Sequence, residues 1–182
     1  CLQRGAKPAI ELTVASEATE APPGYDIELH VEQTARHPDR PVGKRFGALV
    51  HAALRDIALD ASREQIMATV DLHTRLLGAE DEEAEEAAFA VYHALHHPLL
   101  VRARAAVRVH REYPVVVKQN GAAVEGVIDL AFAEQDRWVV VDFKTDAELD
   151  GIAEKYRPQL AWYALALQKT KGLPVQCYLL AV

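Results

Sequence analysis

The chain has 182 residues, half of them apolar, with 27 acidic against 20 basic side chains and a formal net charge of −7. This length suffices for one domain with a full core, and with no uninterrupted apolar run of transmembrane length the chain is expected to be soluble, cytoplasmic and without a membrane partner. The acidic balance counts against a chain that holds a polyanion by its own field, and the two cysteines, Cys1 and Cys177 at opposite ends, exclude a disulfide framework or a metal tetrad built from this chain alone.

The chain starts at Cys1 with neither a methionine nor a signal peptide, which reads as a piece of something longer. Residues 1–41 contain Pro22-Pro23-Gly24 and two extended-looking pieces, Ile10 to Val14 and Tyr25 to Val31. They are expected to be a linker or peripheral segment with an edge hairpin, or the tail of a preceding domain. From Gly43 a helical period takes over. Phe46, Leu49, Val50, Ala53 and Ile57 form one stripe of a helix ending near Leu59, and His51 projects off its centre. Ser62 with Gln65 makes a capping box for a second helix carrying Ile66, Val70 and Leu77. The acidic run Ala79 to Glu86 starts a third, with Ala88, Val91, Tyr92 and Leu95 on its apolar face, until Pro98 stops it. His93, His96 and His97 suit that helix's C-terminal end without a metal role. Arg102, Arg104, Arg108, His110 and Arg111 form the one basic cluster, either a phosphate contact or a solvated or interdomain surface.

Three strands then follow at about 107–118, 122–133 and 137–143, with Asn120-Gly121 as a turn signal between the first two. A helix over Glu154 to Thr170 and a last strand over Val175 to Val182 complete the order helix, three strands, helix, strand. The hairpin holds the anomaly. Asp129 interrupts Gly126-Val127-Ile128-Asp129-Leu130-Ala131-Phe132, and Asp142 and Lys144 close Trp138-Val139-Val140-Val141-Asp142-Phe143-Lys144. Alternate strand residues share a face, so Asp142 and Lys144 leave one side together, and register could bring Asp129 there as well. Carboxylates so placed cost several kcal/mol each unless a cation offsets them. A divalent metal would do so, as would a simple buried Asp–Lys ion pair. In the following helix Tyr156, Gln159 and Tyr163 recur on one face.

The set G-x-x-D (Gly126 to Asp129), D-x-K (Asp142 to Lys144) and Y-x-x-Q-L-x-x-Y (Tyr156 to Tyr163) resembles the PD-(D/E)XK nucleases, most closely the RecB-type nuclease domain of helicase-nucleases. Gly47-Ala48-Leu49-Val50-His51-Ala52-Ala53-Leu54 likewise resembles that family's G-x-x-x-H-x-x-L helix. The resemblance implies a nuclease domain over residues 42–182 with a restriction-endonuclease-like α/β core. Its central mixed sheet would combine antiparallel hairpin strands with a C-terminal strand, flanked by helices and preceded by a helical portion. It implies Asp129, Asp142 and Lys144 as catalytic residues. His51, Asp129, Asp142 and the Phe143 carbonyl would hold one or two Mg²⁺ or Mn²⁺ ions. Gln159, Tyr163 and Tyr156 would contact the strand or support the ligands. Phe143 stands where the family more often has tyrosine, a change without effect if only its backbone is used. Glu112, before Tyr113-Pro114, stands where the family often has an acidic residue; a role at the metal site and a plain surface position on an edge strand are both open.

Some members carry a four-cysteine iron–sulfur cluster, which the two cysteines of this chain, Cys1 and Cys177, do not supply. The implied activity is metal-dependent hydrolysis of DNA, single strands or strand ends, in double-strand-break repair or recombination. A helicase motor in the parent polypeptide would deliver the strand that an acidic domain does not attract. Two alternatives are a catalytically idle fold guiding DNA or docking a protein, and a free-standing exonuclease.

Overall fold

A computed structural model of the chain describes residues 11–119, 122–146 and 150–182. The elements are β1 (Glu11–Val14), β2 (Leu29–Gln33), α1 (Lys44–Asp56), α2 (Arg63–Leu77), α3 (Asp81–His96), α4 (Pro98–Ala105), β3 (Arg108–Gln119), β4 (Ala122–Ala133), β5 (Trp138–Lys144), α5 (Ile152–Lys171) and β6 (Val175–Ala181). This is the expected α/β architecture, a mixed sheet flanked by helices. Ile10 and the Asn120-Gly121 turn lie outside the described residues. No helix among the described residues is long and apolar enough to cross a membrane.

Local chemistry sets the helix ends. Ser62 Oγ accepts from Gln65 N at 3.3 Å while Ser62 N donates to Gln65 Oε1 at 2.8 Å, which satisfies two of the free amides that begin α2. Pro98 ends α3 as its chemistry requires, and it also begins α4, a helix absent from the sequence reading. Proline's fixed φ suits a first helical position, and the amide it lacks is one a helix start leaves unpaired. The basic cluster is largely used internally. Arg102 pairs with Glu134 at 2.9 Å, Arg104 donates to Leu95 O at 3.0 Å, and Arg111 gathers the carbonyls of Leu54, Arg55 and Ile57 where α1 ends.

The sheet has six strands in the order β1-β4-β5-β6-β2, with β3 also on β4. The two strands from the first forty-one residues do not form the expected edge hairpin. Each pairs in parallel with a later strand, β2 with β6 at one edge of the sheet and β1 with β4 on the side of β4 away from β3. The connection between them is too long for a hairpin turn and crosses α5 instead, where Glu20 O accepts from Trp162 Nε1 at 3.0 Å and Ile27 joins the core.

One core lies between the sheet and α1–α4, around Phe46, Leu49, Val91, Leu130, Phe132, Val139 and Val141. The other lies between the sheet and α5, around Ile128, Trp138, Val140, Leu160 and Leu179. Strands β3 and β4 change sides between the two. In β3, Val109 faces the α1–α4 core whereas Val115 and Val117, of the same parity, face α5. In β4, Val124 and Ile128 face α5 whereas Leu130 and Phe132 face α1–α4. The register is kept across the change, Arg111↔Leu130 and Tyr113↔Ile128, so both strands turn over together at Glu112 and Asp129. Glu112 carries the distortion with a φ of 46°, a left-handed conformation that costs a non-glycine residue about 1–2 kcal/mol.

Candidate active site

The turnover leaves a notch. Both β1 and β5 pair along the edge of β4 away from β3, β1 at Ala122–Glu125 and β5 at Leu130–Ala133. Over Gly126–Asp129 neither pairs with β4 among the described residues, and there a cavity of about 520 Å³ opens, lined by Gly126, Asp129, His51, Asp142, Lys144, Gln159 and Tyr163. Unpaired strand backbone must find other partners. Phe143 N, just past the last β4–β5 pair, donates to Asp129 Oδ2 at 2.8 Å, so the side chain takes over where the ladder stops.

Asp142 and Lys144 leave β5 on the same side, as their spacing predicts. Lys144 Nζ lies 2.6 Å from Asp142 Oδ2, with the aspartate buried and the lysine nearly so. Gln159 Nε2 donates to Asp142 Oδ1 at 3.3 Å and to Tyr163 Oη at 3.0 Å, so the two helix residues support the carboxylate. His51 arrives from α1 on the opposite layer, and its Nδ1 is 3.8 Å from Asp129 Oδ2. The notch is what lets a side chain from that layer meet Asp142. Tyr156 presents its ring 4.2 Å from Lys144 Nζ and directs its hydroxyl to both Asp146 oxygens at 3.2 Å. Lys155 Nζ is 2.7 Å from Asp146 Oδ1. The backbone after Lys144 is tied down from the N-terminal segment: Arg40, itself buried, donates to the carbonyls of Thr145, Asp146 and Val182, and Arg36 to that of Asp146.

Two glycines set the approach of the elements. A Cβ on Gly47 would stand 2.8 Å from Thr145 Oγ1, so its absence lets α1 close on the end of β5 and carry His51, one turn on, to the notch. A Cβ on Gly126 would stand 2.6 Å from Tyr163 Cε1, so that glycine admits the ring that buttresses Gln159. These are steric reasons for the glycines of G-x-x-x-H and G-x-x-D.

The electrostatics describe a site short of positive charge. Burial, then the neighbouring Asp142, hold the Asp129 carboxyl well above its usual range, and Glu112 adds to the rise. Burial lowers the Lys144 ammonium, yet Asp142, with Asp129 and Tyr156 beside it, carries the net direction upward. Burial pushes the His51 imidazole down, toward the neutral form that ligates metals. Asp142 Oδ2 is buried without a well-oriented hydrogen bond, although the Lys144 ammonium is close. Among the described residues no three His, Cys, Asp or Glu side chains stand together in ligand geometry. The donor types nevertheless fit a hard or borderline divalent cation, with two carboxylates, one imidazole and an underused oxygen facing a shared cavity.

The structure thus brings together His51, Asp129, Asp142, Lys144, Gln159 and Tyr163, with Tyr156 beside Lys144. Glu112 is exposed and sits at the strand turnover next to Asp129. Sequence reasoning missed Arg40, Asp146 and the steric parts of Gly47 and Gly126. Both glycines stand inside recognisable motifs, whereas Arg40 has no local signal because its partners are backbone carbonyls more than a hundred residues away.

Comparison with known proteins identifies the family. The sequence model of the PD-(D/E)XK nuclease superfamily matches residues 20–182. Among curated proteins the chain is similar to an ATP-dependent helicase/nuclease subunit from Clostridium kluyveri, 27% identical over 151 residues, covering 71% of this chain and 12% of that protein. The proteins of the same name from Alkaliphilus metalliredigens and Bacillus cereus are 30% and 31% identical over 151 and 163 residues, each covering 71% of this chain and 13% of the relative. The chain therefore spans about an eighth of the length of these relatives.

Proposed function

The chain belongs to the PD-(D/E)XK nuclease superfamily, and from that premise we propose that residues 42–182 form a metal-dependent nuclease unit that hydrolyses DNA phosphodiesters, preferring single strands or strand ends. That unit leans on residues 11–41, which add β1 and β2 to its sheet and, through Arg40, bind the backbone after Lys144. The observation that carries the proposal is the meeting of Asp129, Asp142 and Lys144 from the sheet with His51 from α1 in one notch. His51, Asp129, Asp142 and the Phe143 carbonyl would hold Mg²⁺ or Mn²⁺, one ion or two. When bound, the ion supplies Lewis-acid stabilisation of charge on the phosphate and a more acidic water.

The chain's own residues supply the rest. Lys144 places an ammonium where the attacking water and a phosphate oxygen would lie, orienting the one and offsetting charge on the other. Its proximity to Asp142 and the Tyr156 ring restricts where that ammonium points. Gln159 and Tyr163 hold the Asp142 carboxylate in one orientation.

The relatives are helicase/nuclease subunits. By that likeness we place this unit with a helicase motor in a longer cytoplasmic polypeptide that processes double-strand breaks. Asp142→Ala and Lys144→Ala should each abolish Mn²⁺- or Mg²⁺-dependent cleavage of labelled single-stranded DNA with an unchanged far-UV spectrum, a fall of about a thousandfold or more. A second reading, an idle fold that guides DNA or docks a protein, draws on the closed Lys144–Asp142 pair. It would prevail if wild type and both variants were equally inert while still binding a labelled strand.

A further inference from the structure

Beyond the turnover at Glu112 and Asp129, one face of the sheet is largely open among the described residues. Val115, Val117, Val124 and Ile128 pack against the α5 layer, whereas Pro114, Val116, Lys118 and Val127 on the other side are exposed, with Ala123 buried and Glu125 half-buried between them. Val116 is 59% exposed and Val127 43%, and Leu12 and Val14 on β1 are exposed as well. Register puts them on adjoining rungs. Val14 and Val116 both pair with Glu125, and Pro114 pairs with Val127. Single aliphatic side chains at the surface are ordinary, but a contiguous strip of them usually marks a contact.

This face is continuous with the site. The cavity that holds Asp129, Asp142 and Lys144 is also lined by Val14, Pro114, Val116 and Val127, so a substrate reaching the acids through it passes along the valines. The charge on the face excludes one orientation of that substrate. Glu125 stands in the middle of the strip, and Lys118 is the only basic side chain among the described residues of these alternating positions. A phosphate backbone laid here would meet a carboxylate and lack the lysines and arginines that such contacts need. An aliphatic strip offers no aromatic stacking, but it can bury the flat faces of unpaired bases as apolar surface, whereas a duplex hides those faces and presents phosphates outward.

We propose that the Val14–Val116–Val127 face is a nucleobase-contacting platform, on which an unpaired DNA strand lies with its bases toward the sheet and its phosphates toward solvent as it enters or leaves the notch. The platform rests on the nuclease reading and deepens it by giving that substrate a path. Glu125 would repel the second strand of a duplex, so the same residues that contact an unpaired strand also select it.

The test compares Mn²⁺-dependent cleavage, by the 182-residue chain, of an intact single-stranded oligonucleotide and of two partly abasic ones, with bases removed on the 5′ or on the 3′ side of the cut. The double variant Val116→Thr/Val127→Thr keeps side-chain shape and strand propensity while making the strip polar. One abasic strand is expected to raise KM about fivefold with kcat within about twofold. The double variant should raise KM similarly on the intact strand and add little on that abasic strand, because both changes remove one contact. Equal KM for all three strands, or full additivity of the two changes, overturns the platform while leaving the nuclease reading in place; the strip would then belong to another partner, such as a protein segment. No cleavage of any strand by wild type under Mn²⁺ overturns the nuclease reading and the platform with it.

Discussion

The two halves of the β3–β4 hairpin have similar apolar sequences and opposite environments. Toward Arg108 and Ala133 the pair is sandwiched: Val109, Leu130 and Phe132 meet the α1–α4 core, and Ala131 meets the α5 core. Toward Gln119 and Ala122 it is covered on the α5 side only, and Val116 and Val127 face solvent. The chemistry sits at the joint. A regular strand offers each side chain one of two faces, whereas a strand that turns over can direct one side chain into the sheet's own plane. Asp129 does this, and its carboxylate replaces the missing ladder bond at Phe143. An acid in an apolar strand thus becomes tolerable where pairing and coverage both lapse, and the same lapse lets His51 from α1 face one cavity with Asp142 from β5.

Substitutions at the joint can break that contrast. The largest effect on stability is expected at Gly126→Ala, where the added carbon meets the Tyr163 ring and the Ala15 side chain at once. Thermal or urea unfolding should show a loss of about 2–3 kcal/mol, accompanied by loss of cleavage. A wild-type unfolding curve would show that the joint is less tightly packed than the distances indicate.

Asp129→Asn sharpens the electrostatic side. A carboxyl held above its usual value binds its proton more tightly folded than unfolded, so its favourable contribution is present at low pH. That contribution is lost as pH rises from about 3.9, the unfolded value, through the raised folded one. Without metal, the asparagine variant should therefore unfold at higher temperature than wild type near pH 8, with the gap closing toward pH 4, while cleavage disappears. Parallel pH profiles would remove the strain assigned to Asp129.

Glu112→Gly tests the turnover itself. Relief of the left-handed φ should stabilise the chain by about 1 kcal/mol, less the entropy glycine loses on folding, and unfolding midpoints decide it. The smallest effect is expected at Gly47→Ala, because the obstructing Thr145 hydroxyl belongs to a side chain that can rotate. A loss of about 0.5–1 kcal/mol, recovered in Gly47→Ala/Thr145→Ala, would identify that single contact. No recovery would mean that α1 is held off by something else.

Much of this was legible in the chain. The helices α1, α2 and α3, the three consecutive strands, α5 and β6 follow from periodicity, the capping box and turn residues, because those signals act over a few residues. Asp142 and Lys144 share a side by the two-residue period of a strand, and Gln159 lies against Tyr163 by the four-residue period of a helix. Other features were not legible. Pro98 reads as a stop, and nothing local says that a helix also starts there. The extended pieces before residue 41 read as a hairpin, but their partners are two different strands far along the chain, β4 and β6. Arg40, in a stretch that reads as linker, is bound to the carbonyls around the site.

By itself, the sequence determined the local periods, the donor types and the motif spacing, since backbone sterics and side-chain chemistry act between near neighbours. Tertiary structure alone decided that β3 and β4 turn over, that β1 and β5 leave a gap on the same edge of β4, and that His51 reaches that gap from the other layer. Those choices depend on which surfaces are covered and which strands find partners, and both are settled by contacts between segments distant in the chain.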